Sequence, residues 1–312
     1  METIRRRSRT HRSRRGKKLE LSPRDLEIFR VLFRYRYLPS TSIHAFVGGA
    51  SETRFKERLG DLFHEGYLDR PTKQWELAGC RHRPAVYEIG RGGLKVLRHS
   101  EAEDLESRTW LGTQAHLQFH HSLMICDVLA NVELESRTLS HLRFIPWSEI
   151  AAKMPNLVLH RSGPFRFMAT TPHPLTVIPD AIFGIEYHSG ETRSYRFFAL
   201  EADRGTMPIM RSQGAQSSYL KKLINYRAVF AANLCKTQLG VPNLLVLTVT
   251  TSERRKETIM RWLGTVAGGA SAGFLFKSTT EQITKCAAGP ECSYLKGTWM
   301  RTGFPPMCIS TP

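Results

Sequence analysis

The stretch FFALEADRGT, residues 197–206, runs four apolar residues into Glu201, Ala202, Asp203 and Arg204 and breaks at Gly205. Its first half reads as a buried strand. Alternate side chains of a strand share a face, so Glu201 and Asp203 project together and Ala202 projects the other way. Two carboxylates this close repel, which a purely structural site has little reason to keep. A metal ion or a cationic side chain is therefore expected beside them. The plainer alternative is a surface ion cluster of Glu201, Asp203 and Arg204 that adds little stability, with Asp180 capping a turn after Pro179.

Working outward, PDAIFGIEY (179–187) supplies a preceding strand with Asp180 at its start. A long helix is expected in QAHLQFHHSLMICDVLANVEL from residue 114, followed by strands in LRFIPW, FRFMAT, PDAIFGIEY and RSYRFFALEAD. A helix in SSYLKKLINYRAVFAA, an apolar strand NLLVLTVT and a helix beginning near Glu253 complete the run. That order predicts an α/β domain with a mixed central sheet. Asp180 and Glu201, brought together from adjacent strands, offer the hard oxygen ligands that suit Mg²⁺ or Mn²⁺, with the Ala202 carbonyl as a further donor. Such an ion acts as a Lewis acid and activates water.

This arrangement resembles the PD-(D/E)XK nuclease core, and the resemblance implies metal-dependent DNA cleavage. It breaks at Asp203, where the nuclease pattern has a lysine. Three repairs stand open: Arg204 swings back, Lys221 or Lys222 reaches in from the following helix, or Asp203 serves as a third metal ligand. Without such a repair the domain is a degenerate nuclease that keeps its fold for binding. His116 and His120 lie at i and i+4 on the long helix, next to His121, but lack the glutamate of a zinc-protease motif. Helix-surface or core roles are the ordinary reading, and His120 is the one assigned to face the carboxylates.

The chain has 312 residues, 41% of them hydrophobic, which suits two domains better than one core. No apolar run approaches the roughly 20 residues of a membrane span, so a cytoplasmic protein with no membrane partner is expected. Cys80, Cys126, Cys235, Cys286, Cys292 and Cys308 are spaced poorly for zinc and too sparsely for a disulfide scaffold. The net charge is +17. Nearly half the excess sits in residues 1–18, where Arg5, Arg6, Arg7, Arg9, Arg12, Arg14, Arg15, Lys17 and Lys18 face one acid, Glu2. An arm of this composition is expected to be disordered when free and to suit phosphates or an anionic membrane surface, or to act as a solubility tail with no fixed partner.

After the arm, LSPRDLEIFRVLFRYRYL (21–38) offers Ser22 as N-cap, Pro23 at the first helical position, and Leu26, Phe29, Leu32, Phe33 and Tyr37 at helical spacing. Pro39 stops this helix. Ser40 or Thr41 caps a short second one carrying Ile43 and Phe46, which Gly48 and Gly49 end. Ser51 opens a third, with Phe55, Leu59, Leu62 and Phe63 inward and Thr53, Arg54, Lys56 and Arg58 outward. A basic hairpin is expected between Lys73 and Glu88. Helix, helix, helix and hairpin is the order of a winged helix-turn-helix, in which Thr53, Arg54, Lys56 and Arg58 approach the groove while Arg81, His82 and Arg83 meet phosphates. Any one of these residues is equally well explained as a solvated surface.

LSPRDLEIFRVLFRYRYLPSTSIHAF, RLGDLFHEGYLDRP and VYEIGRGGLKVL look like the winged-helix region of the replication-relaxation family of plasmid and mobile-element proteins. IPDAIFGIEY and FFALEADRGT resemble its second half. The resemblance implies double-stranded DNA as partner, together with a relaxase, replication or recombination protein. The expected architecture is a basic arm (1–18), an α+β winged-helix domain (19–105), a PD-(D/E)XK-like α/β domain (106–265) and a C-terminal extension (266–312) whose GTVAGGASAGF run reads as a linker. Three functions compete: a Mg²⁺-dependent DNA endonuclease with its own DNA reader, a non-catalytic replication or recruitment factor, and a winged-helix transcriptional repressor.

Overall fold

The computed structural model describes residues 8–13, 19–49, 51–76, 79–100, 119–154, 165–169, 174–210, 218–268, 271–279 and 293–312. Two compact units divide them, the first taking described residues up to Ala130 and the second those from Asn131. The division falls inside a single helix, α5 (Phe119–Ser136).

In the first unit, α1 (Pro23–Tyr35) starts as the sequence indicates: the Ser22 side chain accepts from the Asp25 amide and Asp25 reaches back to the Ser22 backbone, a capping box. Strand β1 (Leu38–Pro39) leads into α2 (Ser40–Val47), whose N-cap is Pro39 and not Ser40 or Thr41. Helix α3 (Glu52–His64) is capped by the Ser51 side chain, and its Phe55, Leu59, Leu62 and Phe63 are buried as expected. The core is completed by Ile28, Phe29, Leu32, Ile43 and Phe46 from α1 and α2. Strands β2 (Leu68–Asp69) and β3 (Val86–Ile89) pair antiparallel, and β1 pairs with the far side of β3, giving the order β1-β3-β2. Helix α4 (Arg91–Ser100) packs closely here, because a Cβ on Gly93 would stand 2.6 Å from the Tyr67 carbonyl.

The expected hairpin from Lys73 to Glu88 does not form. Residues Thr72–Glu76 and Cys80–His82 are short 3-10 turns, and only β3 is extended. The buried Gln74 side chain explains this: it accepts from the Val86 amide at 2.8 Å and donates to the Val86 carbonyl at 2.9 Å. One amide side chain takes the place of a facing strand there.

The arm also departs from expectation at residues 8–13. Arg12 donates from Nε to the Phe63 carbonyl at 3.0 Å and from Nη2 to the Leu68 carbonyl at 2.8 Å, and pairs with Asp69. Its guanidinium lies 5.3 Å from the Phe63 ring centroid, and that of Arg9 lies 5.3 Å from Trp75. Guanidinium groups stacked on aromatic rings and feeding carbonyls hold a segment whose composition alone would leave it loose.

The second unit is a seven-stranded mixed sheet in the order β12-β11-β10-β9-β8-β7-β4. After β4 (Leu142–Ile145) and α6 (Trp147–Ala152), the pair β5 (Phe167–Ala169) and β6 (Leu175–Val177) forms a small separate ribbon. The strands β7 (Ala181–Ser189) and β8 (Thr192–Asp203) make a long antiparallel hairpin around Gly190, at φ +59°. The chain then crosses through α7 (Tyr219–Ala231) and α8 (Leu234–Leu239) to β9 (Leu245–Thr250), and through α9 (Glu253–Val266) to β10 (Ser271–Ser278). Strands β8, β9 and β10 are parallel. Strands β11 (Thr298–Thr302) and β12 (Phe304–Cys308) return antiparallel to finish that edge.

The described part of residues 266–312 is therefore no appendage. It contributes three strands and the fully buried Trp299, and the small-residue run that read as a linker is partly the end of α9 and the start of β10. The face of the sheet carrying Ile182, Ala199, Val246, Phe274 and Phe276 packs against Leu223 and Tyr226 of α7 and Ile259 and Leu263 of α9. No helix among the described residues is long and apolar enough to cross a membrane.

Candidate functional site: an acidic pair bridged by a lysine

The β7–β8 register pairs Ala181 with Leu200, which sets Asp180 beside Glu201 at the end of the hairpin. The Asp180 amide donates to the Leu200 carbonyl at 3.1 Å, and its Oδ2 accepts from the Ala202 amide at 2.8 Å. Glu201 lies near the carboxyl end of β8, which is parallel to β9, so both acids stand at the sheet end from which the crossover helices start.

Lys222 completes the group. Its Nζ forms an ion pair with Glu201 and stands 3.9 Å from Asp180 Oδ1. The second oxygen of Glu201 accepts from the Tyr226 hydroxyl at 2.5 Å. Tyr219, Lys222 and Tyr226 fall at i, i+3 and i+7 of α7, so one helix face delivers all three toward the sheet. The Tyr219 hydroxyl donates to Thr248 Oγ1 at 3.0 Å on β9. Glu201 is buried, while the side chains of Asp180 and Lys222 retain 19% and 25% exposure, so the group opens to solvent on that side.

Burial lifts the Glu201 carboxyl to about 7, because the Lys222 ammonium only partly offsets the lost hydration and Asp180 adds a second negative charge. Burial pulls the Lys222 ammonium down, yet Glu201 and Asp180 outweigh it and hold it above the ordinary lysine value. The Tyr226 hydroxyl is raised well above its usual value by burial and by the neighbouring Glu201 charge. It therefore acts as a donor. Near neutral pH a proton and the Lys222 ammonium thus compete for Glu201.

Of the side chains the sequence offered beside Glu201, the one paired with it is Lys222. Lys222 occupies the cation's place; Arg204 is solvent-exposed, and Asp203 is engaged elsewhere. Arg255, in the first turn of α9, pairs with Asp203 through Nε and through Nη2 at 2.9 Å, and also donates to the Met207 carbonyl at 2.6 Å. That two-point grip corrects the assignment of Asp203 as a third metal ligand. Among the described residues no group of three His, Cys, Asp or Glu side chains is disposed to hold a metal ion. His120 groups with the first unit, its ring edge-on to Phe119 at 5.0 Å. His116 lies outside the described residues.

Arg255 and Tyr226 were missed by sequence reasoning. Tyr226 had a signal, its i+4 spacing from Lys222. Arg255 follows a strand parallel to β8, so its helix starts at the sheet end where Asp203 stands, but strand order cannot be read locally.

In the first unit, Thr53, Arg54 and Lys56 are exposed near the start of α3, with Lys56 also paired to Glu52 at 2.7 Å. Arg58 is not available as a groove residue. Its guanidinium donates to Asp25 at 3.0 and 2.6 Å and to the Glu20 carbonyl at 2.7 Å, tying α3 to α1. Arg83 is half-buried and its carbonyl accepts from Arg9; the Arg81 side chain and Arg5, Arg6 and Arg7 lie outside the described residues.

A family model described as replication-relaxation matches residues 29–245, more than half of the chain and inclusive of Asp180, Glu201 and Lys222. No curated protein and no solved structure matches the chain.

Proposed function

The chain belongs to the replication-relaxation family, and from that premise we propose that it is a DNA-binding protein of a plasmid or mobile element whose second unit carries a nuclease-type site. The observation that carries this reading is the convergence of Asp180, Glu201 and Lys222. The first two act as the acids of a PD-(D/E)XK core, and Lys222 provides from α7 the positive charge that position 203 lacks. The donor set suits Mg²⁺ or Mn²⁺, which when bound supplies Lewis-acid polarisation of a phosphodiester. Lys222 steadies negative charge on the scissile phosphate, and Tyr226 orients Glu201.

The helix order of the first unit, its three short strands and the exposure of Thr53, Arg54 and Lys56 near the start of α3 support reading it as a winged helix-turn-helix. It binds duplex DNA through Thr53, Arg54 and Lys56. A second reading draws on one observation: both oxygens of Glu201 already hold donors, Lys222 and Tyr226, as they would in a degenerate site kept for binding. In that case the chain recruits a relaxase or replication protein without cutting. Supercoiled plasmid incubated with Mg²⁺ or Mn²⁺ separates the two. Nicking by the parent protein that disappears in Asp180→Ala, Glu201→Ala and Lys222→Ala supports the enzyme; absence of nicking from every preparation leaves the binding factor.

A further inference from the structure

At the other end of the β7–β8 hairpin a pocket of about 390 Å³ opens on the same face of the sheet as the acidic pair. That volume lies within the roughly 300–1,000 Å³ of small-molecule sites. Glu186 pairs with Tyr195 and Gly184 with Phe197, so Tyr195 and Phe197 share the face of Glu201 by strand alternation. Between Tyr195 and Glu201 the strand advances roughly 20 Å at about 3.4 Å per residue.

The pocket wall is fixed. Asn243 donates to the Tyr195 carbonyl at 2.9 Å and accepts from the Phe197 amide at 3.0 Å. Arg143 is clamped between Glu149, at 2.7 and 3.1 Å, and Glu186, at 2.5 Å. These bonds consume the acids: the Arg143 guanidinium holds the Glu149 carboxyl below its usual range, and Glu186, which burial would raise, is held low by Arg143, His188 and Arg193. What stays accessible is cationic and aromatic. Arg193 is 67% exposed with one edge 3.4 Å from Glu186, Lys153 is 75% exposed with its ammonium 3.2 Å from Glu149, and the Tyr195 residue is 42% exposed, above a floor that includes Ile145, Ile150 and Val241.

We propose that this pocket binds one deoxynucleotide unit, its phosphate held by Arg193 and Lys153 and its base laid against Tyr195 over the apolar floor. Aromatic stacking with flanking cations is how protein surfaces hold unpaired nucleotides. A duplex would not enter, because its bases are stacked and paired. The site therefore takes either a free nucleotide or a nucleotide of an unpaired strand. This deepens the DNA-handling function proposed above and rests on it.

Fluorescence anisotropy of a 5′-phosphorylated, dye-labelled oligothymidylate on the full-length chain tests the proposal, with a labelled duplex measured in parallel. Tyr195→Ala is expected to weaken oligothymidylate binding by about tenfold, within the range that one base–aromatic stack supplies, Arg193→Ala to weaken it through the lost phosphate contact, and both to leave duplex binding unchanged. Tyr195→Phe keeps the ring and is expected to bind as the parent does. Displacement by thymidine 5′-monophosphate at comparable concentration assigns the pocket to free nucleotides, whereas tight oligothymidylate binding that the mononucleotide does not displace assigns it to a strand. Parent-like affinity in both alanine variants, or an equal loss for duplex and single strand, overturns the proposal. Failure of the nuclease or DNA-binding reading would look different: no nicking that depends on Asp180 and Glu201, or no duplex binding at all, whatever stands at 193 and 195.

Discussion

Replacing Glu201 by Gln tests whether the buried acid at the centre of the site is a stored cost. Gln keeps the shape and mimics the protonated carboxyl, so parent and variant should differ mainly through ionisation. The folded carboxyl titrates at about 7 against an ordinary 4.5. A group raised in this way contributes stability that is fully present below its unfolded value and lost as pH rises through the folded one. Between about pH 4.5 and pH 7 the parent should thus lose on the order of 3 kcal/mol relative to Glu201→Gln, at about 1.36 kcal/mol per unit. Lys222 stays protonated across that window and does not alter the sign. Because two units need not unfold together, the measurement is hydrogen exchange of peptides from β7 and β8 in increasing urea, at several pH values. Mg²⁺ added at pH 8 should return part of the lost protection to the parent and none to Glu201→Gln, through binding linked to the ionised carboxylate. Parallel pH profiles for the two proteins would refute the burial argument, and equal Mg²⁺ responses would refute the ligand role of Glu201.

Other expectations follow from named side chains. Arg255→Ala strands the buried Asp203 and should destabilise the second unit by about 3–5 kcal/mol in urea unfolding; residual nicking by the folded fraction would agree with a structural role for Asp203, and a folded but inactive protein would not. Asp25→Ala removes a capping box together with the ion pair to Arg58, and about 3–5 kcal/mol should be lost from the first unit. Burial opposes the Asp25 charge but the Arg58 and Ser22 hydrogen bonds outweigh it and lower its titration, so this contribution holds above the usual carboxylate range and fades as pH falls through the folded value. A pH-independent deficit down to pH 2 would contradict it. Gly93→Ala drives a methyl into the Tyr67 carbonyl and should cost about 1–3 kcal/mol, read from exchange in α4. Deleting residues 1–18 should flatten the dependence of log affinity for duplex on log salt by about 0.9 for each phosphate that the arm neutralises, and an unchanged slope would remove the arm from the interface.

Helices α1 and α3 were legible because capping and periodicity are local. Ser22 with Pro23, and Ser51 with the Phe55–Leu59–Leu62 stripe, fix where α1 and α3 start and which face is buried, whatever the rest of the chain does. The strands β7, β8 and β9 were legible for the same reason, and the acids at 180 and 201 could be placed at strand ends from their position after Pro179 and before Gly205. Residues 8–13 and 72–76 were misread because cation–π stacking and the Gln74 bonds to Val86 bring together groups far apart in sequence. The C-terminal strands were missed because β10 pairs with β9 across a whole helix, so its place in the sheet depends on the crossover and not on composition. At the site itself, sequence determined that two carboxylates need a cation. Only tertiary structure decided that Lys222 serves Glu201 and Arg255 serves Asp203, because parallel strand order sets which helix face stands over which acid.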